Sequence, residues 1–291
     1  MFMLCSNHLA PDPGEIAMAD TIGSFRALHD APGAFVIPNP WDTGSARILT
    51  AMGFKALATT SAGMAFALGL PEGRAGRDQV LAHCRDLVHA TPLPVSADLE
   101  RGFGDSPESA AETIRAAAQT GLAGASIEDH TGRPDDPIYP FDLAVERIAA
   151  AVEAARDLPT DFVLTARCEN LLWGRTDLDD TIRRLQAYEA AGADVLYAPG
   201  LYDLDRIATV CASVSKPVNV VMGMPGALFS VADLAAAGVK RISVGSAFAR
   251  LAYGALITAA GEVATEGTFE RLGDAMGFAG IERYFSDRET G

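Results

Sequence analysis

The sequence has no paired cysteines. Its four, Cys5, Cys84, Cys168 and Cys211, are scattered without Cys-x-x-Cys spacing, which argues against a zinc ribbon or disulfide framework and fits a cytoplasmic protein. Basic charge is scarce: 23 Lys and Arg stand against 38 Asp and Glu, a formal net charge of −15. Phosphate backbones and anionic lipid surfaces attract clustered Lys and Arg, so neither nucleic acid nor membrane is expected as a partner. Long apolar runs are missing too; each is broken by Gly, Pro or a charge short of the about 20 residues that cross a bilayer. The opening stretch lacks the basic start and apolar centre of a signal peptide. Residues 1–18 read as a flexible N-terminal extension and 19–291 as a single domain ending in helices. No GxGxxG follows the first apolar run and no Walker Gly-Lys-Ser/Thr occurs, which weighs against nucleotide-binding sheets.

What is present is one unit repeated. Short apolar runs at 34–38, 55–60, 94–99, 123–128, 162–167, 193–198, 217–221 and 241–244 lack clean alternation, as parallel strands buried on both faces do. Helical patterns lie between them. Examples are 107–120 behind Ser106 and 178–191 behind Asp177, stopped by Gly121 and Gly192. Asp42 reads as the N-cap of a helix over 43–52 rather than a catalytic acid. Eight such alternations in a chain of 291 residues predict an α/β fold, the (β/α)₈ TIM barrel.

Barrel enzymes work at the carboxyl ends of their strands. Here those ends carry Asp98-Leu-Glu100, Glu128-Asp129-His130 and Arg167-Cys168-Glu169. Asp98, Glu100 and Glu128 at one mouth would repel one another without a cation, and a hard divalent ion resolves the conflict: Mg²⁺, with Mn²⁺ as its substitute. Arg167 offers a planar fork for a substrate carboxylate or phosphate. Trp41 reads equally as a pocket wall or as packing, Cys168 as packing, and His130 as a loop residue before a proton donor. The stretch 247–264 is apolar on more than one face, which predicts packing against another subunit in a homodimer or homotetramer.

The runs SADLERGFG (96–104), AGASIED (123–129) and VLTARCE (163–169), in this order, resemble the isocitrate lyase/phosphoenolpyruvate mutase superfamily. The resemblance extends over about residues 20–265 and includes PNPWDTGSARIL and TTSAGMAFALGLPEG. It implies a barrel whose eighth helix is exchanged between subunits. It implies a metal pair at Asp98 and Glu100, the latter one methylene longer than the family's Asp, with Glu128 as third acid. Arg167 becomes the substrate clamp, and backbone N–H groups of Thr60, Ser61 and Ala62, with Gly63 nearby, hold the substrate carboxylate. Glu72 and Asn219 complete the substrate set. The lyases' Lys-Arg-Cys-Gly-His gating segment is missing; residues 129–140 read DHTGRPDDPIYP. The shared core remains: a Mg²⁺-dependent lyase acting on a small α-oxo acid through a metal-stabilised enolate, as in oxaloacetate decarboxylation. One alternative is P–C bond chemistry of the phosphonomutase or phosphonopyruvate hydrolase type. Another is a non-catalytic barrel, which would bind oxalate and turn over nothing.

Overall fold

Eight short parallel strands form inside the eight apolar runs. The computed structural model describes residues 24–224, 226 and 228–286, so the expected extension at 1–18 lies outside the described residues. The strands are β1 (Phe35–Ile37), β2 (Leu57–Ala58), β3 (Val95–Asp98), β4 (Gly124–Glu128), β5 (Val163–Arg167), β6 (Val195–Tyr197), β7 (Val218–Val221) and β8 (Arg241–Ser243). They pair in the order β1-β8-β7-β6-β5-β4-β3-β2, every pair parallel, with helices between successive strands. This is the (β/α)₈ barrel, nearly closed.

Local chemistry sets the helix ends. Ser106 accepts from Ser109 N–H ahead of the helix Pro107–Ala118, and Asp177 accepts from Asp179 and Asp180 N–H ahead of Leu178–Ala190. Asp42 makes a reciprocal capping box with Ser45 ahead of Thr43–Ala51, as its position led us to expect. Gly121 and Gly192 turn the chain back into the sheet at φ of 87° and 102°, a backbone region that costs other residues strain. Apolar side chains such as Ile114, Ile127, Leu164, Leu185 and Leu196 fill the layer between sheet and helices.

The seam between β1 and β2 is the weak point of the barrel. There the ladder includes Ala58 N–H donating to Pro38 O at 3.0 Å, and Pro38 has no N–H to return. A side chain takes over. Asn39, 6% exposed, donates Nδ2 to Thr59 O at 2.8 Å and accepts from Val244 and Gly245 N–H, both at 2.9 Å, tying β1 to both neighbours. Asn39→Leu leaves three backbone groups unsatisfied, so we expect a loss of about 3 kcal/mol in urea unfolding. An unchanged midpoint would show that the seam closes without it.

The helix after β8, Ala247–Glu266, barely touches its own barrel. Only Ala249 is buried among its residues, while Leu251, Leu256 and Ile257 are 61–70% exposed. Among the described residues no helix is long and apolar enough to cross a membrane.

Candidate active site

The carboxyl ends of β3, β4 and β5 bring Asp98, Glu128 and Arg167 together. In the registered ladder Glu128 lies opposite Arg167 and Asp98 opposite Ser126, so three adjacent strands present their last charged residues side by side. Arg167 Nη1 stands 3.6 Å from Asp98 Oδ1 and 3.3 Å from Glu128 Oε2. Its Nε is bonded to Glu169, and its guanidinium lies 5.1 Å from the centre of the Tyr197 ring beneath it. Burial opposes the Arg167 charge, but Glu169 and Glu128 outweigh it and hold the group ionised.

Asp98 is fixed from two sides. Its Oδ2 accepts from Ser61 Oγ at 2.8 Å and Ser61 N–H at 3.2 Å, and its own N–H donates to Thr59 Oγ1 at 2.9 Å. Glu100 does not continue the strand. It sits at φ 49°, left-handed for a residue with a side chain, and turns into an outer cleft shared with Arg101, Phe103 and Arg77. The loop is held in this path by Arg147, 1% exposed, which bonds the carbonyls of Arg101, Gly104 and Ser106 from the helix Phe141–Arg156. The sequence offered no sign of that clasp; an Arg in an amphipathic helix reads as a solvated face.

Negative charge is in excess here. Burial, reinforced by Asp98, lifts the Glu100 carboxyl to about 7. Burial drives Glu128 well above the usual range against the pull of Arg167, with Glu169, Asp98 and Glu100 adding to the rise. Glu72, on the rim, is raised by its partly covered setting and by Asp98. Five carboxylates thus act on one another around a single buried guanidinium. Among the described residues, however, no three His, Cys, Asp or Glu side chains form a ready ligand cluster. That combination fits a hard cation held through one or two carboxylates with water completing its shell, the habit of Mg²⁺. It does not fit a metal that needs a full protein cage.

The other expected residues distribute as follows. Thr60 caps the helix Ser61–Ala67, its Oγ1 accepting from Gly63 N–H at 3.2 Å, and Ser61, Ala62 and Gly63 are buried in its first turn. A side chain at Gly63 would come within 2.9 Å of Trp41 Cβ, so Trp41 packs against this turn. Asn219, 1% exposed, faces the barrel axis with its amide engaged by Arg241 and Ser243. Asp129 is structural, accepting from Glu169 N–H, Tyr188 Oη and Arg184. Cys168 is fully buried and its thiol pushed far up by that burial, as suits packing. His130 stacks on Trp173 at 4.1 Å, with Nδ1 3.8 Å from Glu128. Sequence reasoning missed Asn39 and Tyr197. Asn39 had one signal, its place between two prolines that cannot donate.

Comparison with known proteins places the chain in a family. The family profile described as phosphoenolpyruvate phosphomutase matches residues 25–264. A solved structure of a protein assigned to the lyases or mutases, from Burkholderia cenocepacia J2315, is 59% identical, superposes with a TM-score of 0.91, and covers 94% of this chain and 98% of its own. The chain is 32% identical to 2-methylisocitrate lyase of Escherichia coli K12, over 74% of this chain and 75% of that enzyme. It is 27% identical to an oxaloacetate decarboxylase of Chromohalobacter salexigens, over 78% and 80% of the two chains. With most of its length matched, this chain belongs to the phosphoenolpyruvate phosphomutase family, in the superfamily of lyases and mutases that includes the isocitrate lyases.

Proposed function

We propose that the protein is a Mg²⁺-dependent lyase that breaks the C–C bond between C3 of a small α-oxo acid, the carbon next to its carbonyl, and an outgoing group, as in decarboxylation of oxaloacetate. The observation that carries this reading is Arg167, half-buried and ionised between Asp98 and Glu128 in a mouth with surplus carboxylate. Asp98, with Glu128 and Glu100 behind water, would hold the cation. When bound, the cation supplies positive charge for the oxygen on which negative charge develops as the bond breaks.

The chain's own groups do the rest. Arg167 presents its guanidinium to the substrate carboxylate, braced from below by Tyr197 and from the side by Glu169. Ser61 and Thr59 keep Asp98 from swinging out of reach. The segment 129–140 has no thiol to act as an acid. His130 is held neutral, near pKa 4, by burial and then by Arg101 and Arg167, so water is the proton donor we assign. Loss of CO₂ asks no more of that loop than this, whereas isocitrate-type cleavage in relatives uses the missing Cys.

Pyruvate should be assayed after incubation with oxaloacetate, methylisocitrate or phosphonopyruvate, each with and without Mg²⁺. We expect metal-dependent pyruvate from oxaloacetate alone. Release from phosphonopyruvate instead would replace this reading with P–C bond chemistry.

The exposed helix Ala247–Glu266 and the apolar residues after it, Phe269, Leu272, Met276 and Phe278, at 51–85% exposure, form a surface that a second copy of the chain would cover. We expect light scattering to give at least twice the 30.5 kDa chain mass. A stable monomer would contradict an exchanged helix.

A further inference from the structure

The interior of this barrel is polar where such barrels are ordinarily filled by Val, Ile and Leu. A cavity of about 60 Å³, to which all eight strands contribute, runs down the axis from the mouth, where Asp98, Arg167 and Thr60 line it. Its wall carries Thr59, Ser96, Ser126, Asn219, Ser243 and, farthest from the mouth, Arg241.

Arg241 is the anomaly. It is 5% exposed, and its Nε and Nη2 donate to Asn219 Oδ1 and Thr165 Oγ1, both at 2.9 Å. Nη1 meets His29 Nε2 at 3.5 Å, the outer limit of a hydrogen bond. His29 brings no negative charge. Its Nδ1 lies 2.9 Å from Phe25 O, its ring sits edge-on between Phe25 and Phe35, and burial drives its pKa to about 3, Arg241 adding to the drop. Among the described residues no Asp or Glu pairs with Arg241, and only the Tyr197 hydroxyl acts electrostatically in its favour. Burial lowers its pKa to about 10, which still leaves it charged at neutral pH. A buried cation without a counter-charge is costly unless something neutralises it.

We propose that this axial cavity binds a small carboxylate-class anion, of formate or bicarbonate size, on the Arg241 guanidinium, with the Ser and Thr hydroxyls of the wall as neutral donors. Its volume of about 60 Å³ holds a few water-sized groups, the scale of formate or bicarbonate. The anion is either a free ion or the far carboxylate of a longer acid whose other end sits at Arg167. The free-ion source does not depend on the reaction proposed above, whereas the longer-acid source rests on the Arg167 site of that reading.

Thermal unfolding of the whole metal-free chain against formate, with ionic strength held constant by sulfate, is the test. The wild type should show a saturable rise of a few degrees, and Arg241→Met, which removes the charge at similar volume, should show none. If that variant does not fold, bromide-soaked wild-type crystals decide: an anomalous peak beside Arg241 Nη1 supports the site, and its absence overturns it. Repeating the formate titration with saturating oxalate and Mg²⁺, and then with malate, separates the sources. A response that oxalate spares and malate competes away assigns the far carboxylate of a longer acid; one that neither displaces assigns a free ion. No saturable response in the wild type, the same response in Arg241→Met, or displacement by oxalate itself overturns the proposal.

Discussion

Arg167→Met should lower kcat/KM for oxaloacetate by about 10³-fold or more. The Arg167 side chain is only 17% exposed, so its contacts with a substrate carboxylate form in a setting of lowered dielectric where a charged pair is worth several kcal/mol. At about 1.4 kcal/mol per tenfold, losing about 4 kcal/mol gives that factor. Arg167→Lys separates charge from shape. It keeps a cation near Asp98 and Glu128 but loses the fork and the flat contact with Tyr197, so an intermediate loss of roughly 10- to 100-fold is expected. Both variants leave Glu169 short of a partner, so steady-state rates must be paired with circular dichroism to separate lost chemistry from lost folding. A Met variant that keeps more than a tenth of the wild-type value, properly folded, would remove Arg167 from the site.

Asp98→Asn is expected to abolish the response to Mg²⁺ and cut turnover by about 10³-fold or more. Asn is isosteric and keeps an acceptor for Ser61, so the loss would reflect charge rather than shape. The same cluster gives a stability signature. The folded chain holds Glu100 near 7, above the ordinary Glu value, so between about pH 4.5 and 7 it binds more protons than the unfolded chain. Metal-free stability should therefore fall as pH rises through that window. Mg²⁺ should reverse the trend by favouring the ionised carboxylates, and Asp98→Asn should flatten it by removing one repelling charge. Urea midpoints at pH 5 and 7, with EDTA or Mg²⁺, measure this directly. A midpoint that rises with pH in EDTA would show that the carboxylates are already compensated.

The strands were legible because each is a local event. A run of β-branched and small apolar residues bounded by Gly or Pro declares a buried parallel strand wherever it sits, and each of the eight forms within its run. Caps such as Asp42, Ser106 and Asp177 are local too, their partners two or three residues away. The charged trio Asp98, Glu128 and Arg167 was legible once the barrel was assumed, since strand ends share a mouth. What stayed hidden depends on partners remote in sequence. Asn39 closes the barrel through residues 20 and about 205 positions away, and Arg147 clasps a loop more than 40 residues earlier. Glu100 was read as a strand-end acid alongside Asp98; β3 stops at Asp98, and the left-handed turn that Glu100 takes beside the outer cleft was not legible. Arg241 looked like the start of an apolar strand, and only the closed barrel shows it buried on the axis.

The central claim is that this acidic mouth holds a divalent cation and, with Arg167, a small α-oxo acid. Oxalate, a planar two-carbon dianion shaped like the enolate of such an acid, tests it by isothermal titration with Mg²⁺ and with EDTA. The account predicts saturable binding that requires Mg²⁺ and disappears in Asp98→Asn. Equal binding in EDTA, or none under either condition, would contradict it.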